Sequence, residues 1–306
     1  MLGYLPRRLL QAVPTLIGVL LVVFFFVRAL PGDPARLYAG PEANATEIAQ
    51  VRKDFGLDRP MPTQFVYFLR NLTRGSLGLS FRNNQPATQV IAGHFLPTLW
   101  LSVAAIAMAS ILGIIAGIGA ATNRDSPVDL GITVLSILGI STPSFFLGIL
   151  FIYAFAVRLH LLPISGGPTA AGIVLPALTL AASSLGTIAR FSRSSLLEVL
   201  GEDYVRTARA KGLHRTRVIG RHALRNALIP VLTITGLQFG FLLSGAVIVE
   251  TVFNYPGLGW LLIQSIDARD YPVIQGLMLV FALEFLLINL AVDLLYAAID
   301  PRIRYD

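Results

Sequence analysis

The sequence contains no cysteine, which excludes a disulfide framework, a thiolate metal site and a cysteine nucleophile. Charged residues are also scarce, at 13% of 306 residues, which is half of the roughly 25% found in soluble domains. Hydrophobic residues make up 55% of the chain. Such a chain lacks the polar surface that a water-soluble fold of this size needs. The composition therefore indicates an integral membrane protein and argues against a cytosolic enzyme or a disordered chain.

Lysine is nearly absent, since 22 of the 24 basic residues are arginine. The formal net charge is +7. In a membrane protein an excess of basic residues sets the orientation of the helices. We therefore do not read this charge as a sign of nucleic-acid binding.

Six apolar runs are each long enough to cross a bilayer, which takes about 20 mostly apolar residues. They cover residues 9–30, 98–122, 130–157, 172–191, 229–249 and 273–299. The sequence therefore predicts an all-α integral membrane protein with six transmembrane helices. Pro143 and Pro176 lie within the third and fourth runs, where we expect proline to kink a helix.

The orientation follows from the connection between the fourth and fifth runs. Residues 190–228 carry nine basic and three acidic side chains, whereas residues 253–272 have one basic residue, Arg269. Because basic loops stay in the cytoplasm, we place both termini in the cytoplasm. Residues 31–97 then lie outside, although they hold seven basic residues, since loops of this length are translocated largely regardless of charge.

The long external loop has signs of order. Asn44 and Glu47 have the spacing of a reciprocal helix cap, and Gly56 is placed to end that helix. A second amphipathic stretch around Phe68 suits either a helix on the membrane surface or a packed external cap. We divide the chain into a first helix (1–30), an external loop (31–97) and a five-helix core (98–306) that includes a cytoplasmic loop (195–228).

The cytoplasmic loop has the pattern of a helix, a tight turn and a second helix. Glu202 or Asp203 can cap the first helix, small residues at Ala208 and Ala210 keep it thin, and Gly212 permits a chain reversal. A second helix, about residues 214–227, leads back to the membrane. The pattern predicts a basic knob that fits a partner's groove, although an ordinary basic loop explains the charge equally well.

The residues of this loop are similar to a known sequence motif. The series Tyr204, Ala208, Ala210 and Gly212, with Pro230 further on, resembles the coupling motif of permease subunits of ATP-binding-cassette importers. Other segments that are similar to the peptide and nickel branch of that family are Pro31-Gly32-Asp33-Pro34, Gly75-x-Leu77-Gly78-x-Ser80, Arg269-Asp270-Tyr271-Pro272 and Asn289-x-x-x-Asp293-x-x-Tyr296-x-x-x-Asp300. The first alanine expected in the coupling motif is replaced by Arg206 or Thr207, depending on the alignment.

The resemblance implies a type I importer permease fold with a long external loop after the first helix. The implied ATPase-coupling residues are Glu202, Asp203, Tyr204, Arg206, Ala208, Ala210, Lys211, Gly212, Arg225, Asn226 and Pro230. The implied partners are a second permease subunit, two cytoplasmic ATPase subunits and a periplasmic or lipid-anchored binding protein, in a bacterial inner membrane. The sequence has no G-x-x-x-x-G-K-[ST] phosphate loop, so ATP and Mg²⁺ are expected on the partner subunits.

Polar residues within the spans are the candidates for the translocation pathway, because such groups usually face protein or water. Gln238 and Glu284 are the two that we assign to it. A second set lies on one stripe of the last helix at 100° per residue and suits either structural bracing or an inner gate: Asn289, Asp293, Tyr296 and Asp300.

Two other classes of protein fit the sequence less well than an importer does. An intramembrane enzyme lacks a buried base, because all four histidines lie outside the predicted spans, and we predict no metal site. A secondary transporter would need its own ion-coupling site and often has inverted repeats, neither of which is clear here. The ligands implied by the resemblance are glutathione or a small peptide, with dipeptides, oligopeptides and nickel chelates as open alternatives.

Overall fold

The computed structural model describes residues 4–29, 32–40, 42–167 and 169–299, with the backbone alone described for 4–13, 243–245, 289 and 291–299. This part of the chain is all-α. Its helices are α1 (Tyr4–Ala29), α2 (Pro34–Ala39), α3 (Ala45–Asp54), α4 (Met61–Thr73), α5 (Ala87–Thr122), α6 (Pro127–Ser141), α7 (Ser144–Phe151), α8 (Val174–Leu200), α9 (Asp203–Ala210), α10 (Arg215–Arg217), α11 (Leu224–Val252), α12 (Leu258–Asp267) and α13 (Tyr271–Ile299). Two π-helical segments, Ile152–Arg158 and Val218–Ala223, continue α7 and α10.

Each of the six predicted apolar runs falls on a helix or on a bent pair of helices. Within the described residues, α5, α8 and the Tyr271–Ile288 part of α13 are each long and apolar enough to cross a membrane. Two bent pairs, Pro127–Ser141 with Ser144–Arg158 and Arg215–Leu242 with Ala246–Val252, are also long and apolar enough when each pair is taken as one span. The first run lies on α1, whose described apolar portion is Pro14–Ala29. The predicted all-α membrane fold is confirmed.

The third run differs from the prediction of a kinked helix, because it is broken. Its two halves, Pro127–Ser141 and Ser144–Arg158, meet at an angle of 111°. Thr142 has ψ of 127° and Pro143 has ψ of 134°, so both are extended. The physical reason is that proline drives the residue before it out of the helical region and lacks the N–H that would continue the helix.

The chain divides into two compact units. The first unit comprises the described residues up to Thr98 together with Pro256–Leu287, and the second comprises Leu99–Tyr255 together with the described residues from Ile288 onward. The first unit thus combines the predicted first helix and external loop with α12 and most of α13. The second unit contains α6 to α11 and therefore the whole cytoplasmic loop.

The predicted external loop, which lies in the first unit, is ordered, as expected. Asn44 and Glu47 form the reciprocal cap of α3, each side chain accepting the other's backbone N–H at 2.9 Å. Gly56 ends the helix with φ of +64°. Phe68 of α4 is buried with Phe24 of α1, so α4 packs on α1. The alternative of a packed external cap therefore describes α4 better than a helix lying free on the membrane surface.

The core of the second unit is built around α8, whose buried residues run nearly its full length. It packs against α6, α7 and α11, and Leu101 of α5 joins the same cluster. Near the end of α11, Phe253 and Tyr255 are fully buried, and the Phe253 carbonyl oxygen accepts the Gly166 N–H at 2.6 Å. Burial raises the pKa of the Tyr255 phenol above its ordinary value. The link after the fifth span is therefore part of the core.

Glycines permit the close approach of α6 and α8. A Cβ atom added at Gly186 of α8 would fall against the backbone carbonyl oxygen of Ser136 on α6. A Cβ at Gly139 of α6 would lie 2.8 Å from the Ala182 carbonyl oxygen of α8. Small residues at such crossings let membrane helices pack backbone to backbone.

Replacing Gly186 with alanine should destabilise the second unit by about 1–3 kcal/mol, because the new methyl group forces α6 and α8 apart. Gly131 offers a matched control on α6, since a Cβ there meets no atom of the described residues within 4 Å. The Gly131→Ala variant should be neutral or more stable by about 0.5–1 kcal/mol, the helix propensity gain. Thermal unfolding of both variants in detergent measures the difference. Equal midpoints for the two variants would contradict the close crossing.

Candidate functional site

The predicted cytoplasmic loop forms a knob, residues 202–230, made of α9, a short turn and a returning helix. The turn is at Gly212, which has φ of +79°, a conformation that glycine adopts at little cost. The Gly212 N–H bonds to the Arg209 carbonyl at 2.9 Å, and the Leu213 N–H bonds to the Ala208 carbonyl at 3.4 Å. This pair of bonds is a Schellman motif, which satisfies the last carbonyls of α9. The predicted reversal at Gly212 is present.

The returning helix differs from the prediction of a separate helix over residues 214–227. It begins at Arg215 and continues through the π-helical segment into α11 without a break. Pro230 lies inside α11 and is exposed. The arm of the knob is therefore continuous with the fifth apolar run, so a force on the knob acts directly on a membrane helix.

One face of α9 is buried against its own chain. Val205 and Ala208 are three residues apart and so share a face of the helix. They pack with Val218, Ala223 and Ala227 of the returning arm. The two predicted small residues thus have different surroundings: Ala208 lets α9 approach the returning arm, whereas Ala210 is exposed.

A polar contact joins the two arms of the knob. The Asn226 side-chain amide donates to the Tyr204 hydroxyl at 2.8 Å, and that hydroxyl donates to the His222 carbonyl at 3.3 Å. Tyr204 and Asn226 are both among the residues that the sequence singled out. They hold α9 against the returning arm and so fix the shape of the knob.

The base of the knob is bonded to neighbouring helices of the second unit. The Ser195 hydroxyl on α8 donates to the Ala227 carbonyl on α11 at 2.9 Å, in a buried contact. The Arg215 guanidinium donates to the Thr122 carbonyl at the end of α5, where a cation is favoured by the helix dipole. The knob is therefore held by α5, α8 and α11 together.

The outer face of the knob is exposed and carries most of its charge. The exposed predicted coupling residues are Glu202, Asp203, Tyr204, Arg206, Ala210, Lys211, Gly212, Arg225, Asn226 and Pro230. Among described residues, Arg206 has a single ion pair there, at 3.5 Å from Asp203. Exposed pairs of this kind contribute little, so the arginine side chains on this face are available to a partner.

The predicted side-chain cap of α9 is wrong. Glu202 occupies the N-cap position, but its side chain makes no cap hydrogen bond. Asp203 is the first residue of the helix, where its charge suits the helix dipole. The longer glutamate side chain is a poor cap, since the residues preferred at this position are Ser, Thr, Asp, Asn and Gly.

The pathway candidates lie on different elements. The Gln238 amide of α11 donates to the Ser184 hydroxyl of α8 at 3.1 Å, so Gln238 joins two helices of the second unit. Glu284 is half-buried on α13 in the first unit. Asn289, Asp293 and Tyr296 lie on the backbone of α13, but their side chains are outside the described residues, as is the whole of Asp300.

Sequence reasoning missed an ion pair near the start of α6 and the end of α8. Arg193 Nε and Nη2 contact the two carboxylate oxygens of Asp129 at 2.6 and 2.7 Å. Asp129 is 5% exposed and also accepts the Asp125 N–H. The two residues are 64 positions apart, so no local pattern joins them, although a buried charge requires a partner.

A second missed contact joins two segments that carried the family resemblance. The Asp270 carboxylate accepts the Ser80 hydroxyl and the Phe81 N–H, the latter at 3.0 Å. Ser80 and Asp270 are both buried, at 1% and 2% exposure. They are 190 positions apart, yet they form one polar cluster in the first unit.

Comparisons with known proteins agree with this geometry. The model of the family described as "Binding-protein-dependent transport system inner membrane component" matches residues 110–305. A second model, for the N-terminal part of such membrane components, matches residues 1–102. The solved methionine transporter MetNI, in an inward-facing conformation, contains a chain that superposes with a TM-score of 0.59 at 18% identity, covering 70% of this chain and 97% of its own. A solved amino acid transporter gives a TM-score of 0.54 at 17% identity, covering 68% and 92%.

Curated relatives match over the full length. The chain is 54% identical to the glutathione transport system permease protein GsiC of Pectobacterium atrosepticum, over 100% of both proteins. It is 53% identical to the protein of the same name from Salmonella typhimurium and 52% identical to that of Escherichia coli K12, again over 100% of each chain. Together with the family models, these matches show that the chain belongs to the inner-membrane permease family of binding-protein-dependent ATP-binding-cassette importers.

Proposed function

We propose that this chain is one of two membrane-spanning subunits of an ATP-driven importer for glutathione. The observation that supports glutathione as the ligand is the full-length identity of 52–54% to permeases named for glutathione transport. Two of the motifs that resemble the peptide and nickel branch meet in a buried contact, which joins Ser80 to Asp270. A permease for dipeptides, oligopeptides or nickel chelates is the alternative.

The knob is the proposed coupling element. Its rigid inner face and its exposed basic outer face suit insertion into a cleft of an ATPase subunit, where arginines pair with carboxylates. Because the returning arm continues into α11, closure of the ATPase pair would move the fifth span. ATP and Mg²⁺ are held by the two ATPase subunits, since this chain has no phosphate loop.

The remaining assignments complete the proposed complex. A second permease subunit, which we expect to be a paralogue, forms the pathway together with this chain, and an external binding protein delivers the ligand. Both termini face the cytoplasm of a bacterial cell. Gln238 and Glu284 remain the candidates for ligand contact, and the stripe from Asn289 to Asp300 remains the candidate for bracing or gating.

Uptake of radiolabelled glutathione tests the proposal. The four protein types of the complex are expressed together in a bacterial host that lacks its own glutathione importer. Uptake should require every component and should stop when the phosphate-loop lysine of the ATPase subunits is replaced. The purified permease chain alone should hydrolyse no ATP.

The competition pattern separates the alternatives. An excess of unlabelled glutathione should block uptake, whereas dipeptides and nickel–histidine complexes should not. Uptake of labelled dipeptide without uptake of glutathione would favour the peptide permease. Uptake that persists with inactive ATPase subunits would indicate a secondary transporter and would contradict the proposal.

A further inference from the structure

The first unit contains a cavity of about 400 Å³ that neither the coupling knob nor the proposed pathway uses. This volume falls in the range of roughly 300–1,000 Å³ that small-molecule sites occupy. Its walls come from the end of α1, from α3 and α4 with the turn between them, from the chain after α4 and from the start of α13. Exposed residues such as Arg59 and Leu79 line its outer part, so the cavity opens to the surface of the part predicted to be external.

A buried amide without a partner lines this cavity. Gln275 is 3% exposed, and its side-chain nitrogen Nε2 has no hydrogen-bond acceptor among the described residues. Buried polar groups in folded proteins nearly always have a partner, because an unpaired buried donor loses its bonds to water. An acceptor supplied by a molecule in the cavity would satisfy Gln275.

A fixed cation, Arg28, lines the same cavity. Arg28 Nε donates to the Gln64 side-chain oxygen at 2.9 Å, and Nη1 donates to the Phe24 carbonyl at 3.2 Å. The guanidinium also stacks 3.5 Å from the centroid of the Phe24 ring. No carboxylate among the described residues pairs with it. A guanidinium has five N–H donors, so Arg28 is held in place with donors left for an anion.

The rest of the lining suits a small peptide. Lys53 and Arg59 add two cations to that of Arg28, whereas Asp54 is the one acidic residue in the lining. Phe55, Leu57 and Phe68 supply apolar walls between these charges. Carboxylates are favoured by the cations, an amine is accommodated by Asp54, and an amide carbonyl fits the unpaired Gln275 donor.

We propose that this cavity is an external receiving site for a small peptide. The peptide carboxylate binds the Arg28 guanidinium, and a carbonyl oxygen of the peptide accepts the hydrogen bond of Gln275 Nε2. This inference rests on the proposed function, in that the bound peptide is the one to be transported. The site would hold the ligand on the permease itself after its release from the binding protein.

Binding to the assembled importer in phosphatidylcholine nanodiscs, without the binding protein, tests this site. The probes are reduced glutathione, alanyl-alanine and alanyl-alanine amide. At least one of the two free peptides should bind, and conversion of the alanyl-alanine carboxylate to the amide should weaken any binding of that dipeptide at least tenfold. The Gln275→Leu variant should weaken peptide binding about tenfold, the equivalent of one lost hydrogen bond.

The variants distinguish a ligand contact from a structural role. Gln275→Leu removes an unpaired amide, so its thermal midpoint without peptide should be unchanged or raised, while stabilisation by peptide is lost. The exposed Gln89 of α5 provides the matched control, and Gln89→Leu should bind peptide as the parent does. Arg28→Gln, which keeps a donor but removes the charge, should weaken binding at least tenfold.

Three outcomes would overturn the site. The first is equal peptide binding by the parent and Gln275→Leu, and the second is no peptide binding by the parent. The third is displacement of the bound peptide by inorganic phosphate or by phosphatidylglycerol, each added as the sole competitor. Uptake by the complete importer is measured in parallel. Normal glutathione uptake without binding in the cavity refutes this site only, whereas absent glutathione uptake refutes the proposed function.

Discussion

Replacing Gly212 with aspartate should abolish uptake while the chain remains inserted in the membrane. A side chain at φ of +79° costs about 1–2 kcal/mol of backbone strain, which the fold can tolerate. A Cβ atom there meets no described atom of the chain within 4 Å, so the chain itself has room for the side chain. The loss of uptake should therefore arise where the knob contacts an ATPase subunit, because the added side chain and its negative charge disturb the basic surface of the knob. Co-purification of the ATPase subunits and glutathione uptake measure the effect.

Gly75 provides a matched control for this variant. It follows α4 with φ of +75°, and an added Cβ again meets no atom within 4 Å in the described part of the chain. Its N–H bonds to the Leu72 carbonyl and that of Ser76 bonds to the Asn71 carbonyl, both at 2.9 Å, which is the same turn motif as at Gly212. Gly75→Asp should have a similar strain cost yet retain the ATPase subunits. Normal uptake by Gly212→Asp, or equal loss in both variants, would contradict coupling through the knob.

Replacing Asp270 with alanine should cause the largest loss of stability in the first unit. The carboxylate accepts the Ser80 hydroxyl and the Phe81 and Arg82 N–H groups. Each buried donor left without an acceptor costs about 1–3 kcal/mol, so we expect a loss of about 3 kcal/mol or more. Thermal unfolding of the purified chain in detergent should show a lower midpoint. Limited proteolysis should show earlier cleavage within residues 79–86, because the carboxylate holds that turn.

Asp267 supplies the control, since it lies three positions earlier and is exposed. Asp267→Ala should change the free energy of unfolding by no more than about 0.5 kcal/mol, as surface substitutions usually do. Ser80→Ala removes one donor of the cluster and should cost less than Asp270→Ala. If Asp270→Ala unfolds at the same temperature as Asp267→Ala, the buried cluster contributes nothing to stability.

The predicted features that the structure confirms depend on near neighbours in the chain. A capping box needs Asn44 and Glu47 three residues apart, and the turn at Gly212 needs one residue free of a Cβ. Membrane spans need only length and low polarity. The prediction of a kinked helix across Pro143 failed, because the two halves meet in a break of 111°. Proline indicates where a helix is disturbed, but the packing of both halves decides how far the chain turns.

The coupling residues were found from sequence, but their arrangement was not. Tyr204 and Asn226 stood out through the family resemblance, whereas the hydrogen bond between them is visible only in the folded knob. The same holds for Ala208, whose small size serves packing against the returning arm. The spacing of α9 predicts which residues share a face, and tertiary contacts decide which face is buried.

By itself the sequence determined that the chain belongs in a membrane, which six runs are apolar enough to span it and where the knob turns. These features depend on composition and on interactions between residues within about four positions of each other, so they can be read without knowing which helices pack together. Only the tertiary structure decided that Asp129 meets Arg193, that Ser80 meets Asp270, and that Gln275 faces a cavity without a partner. Such contacts depend on where helices cross, and the crossing is set by the packing of whole helix surfaces against one another.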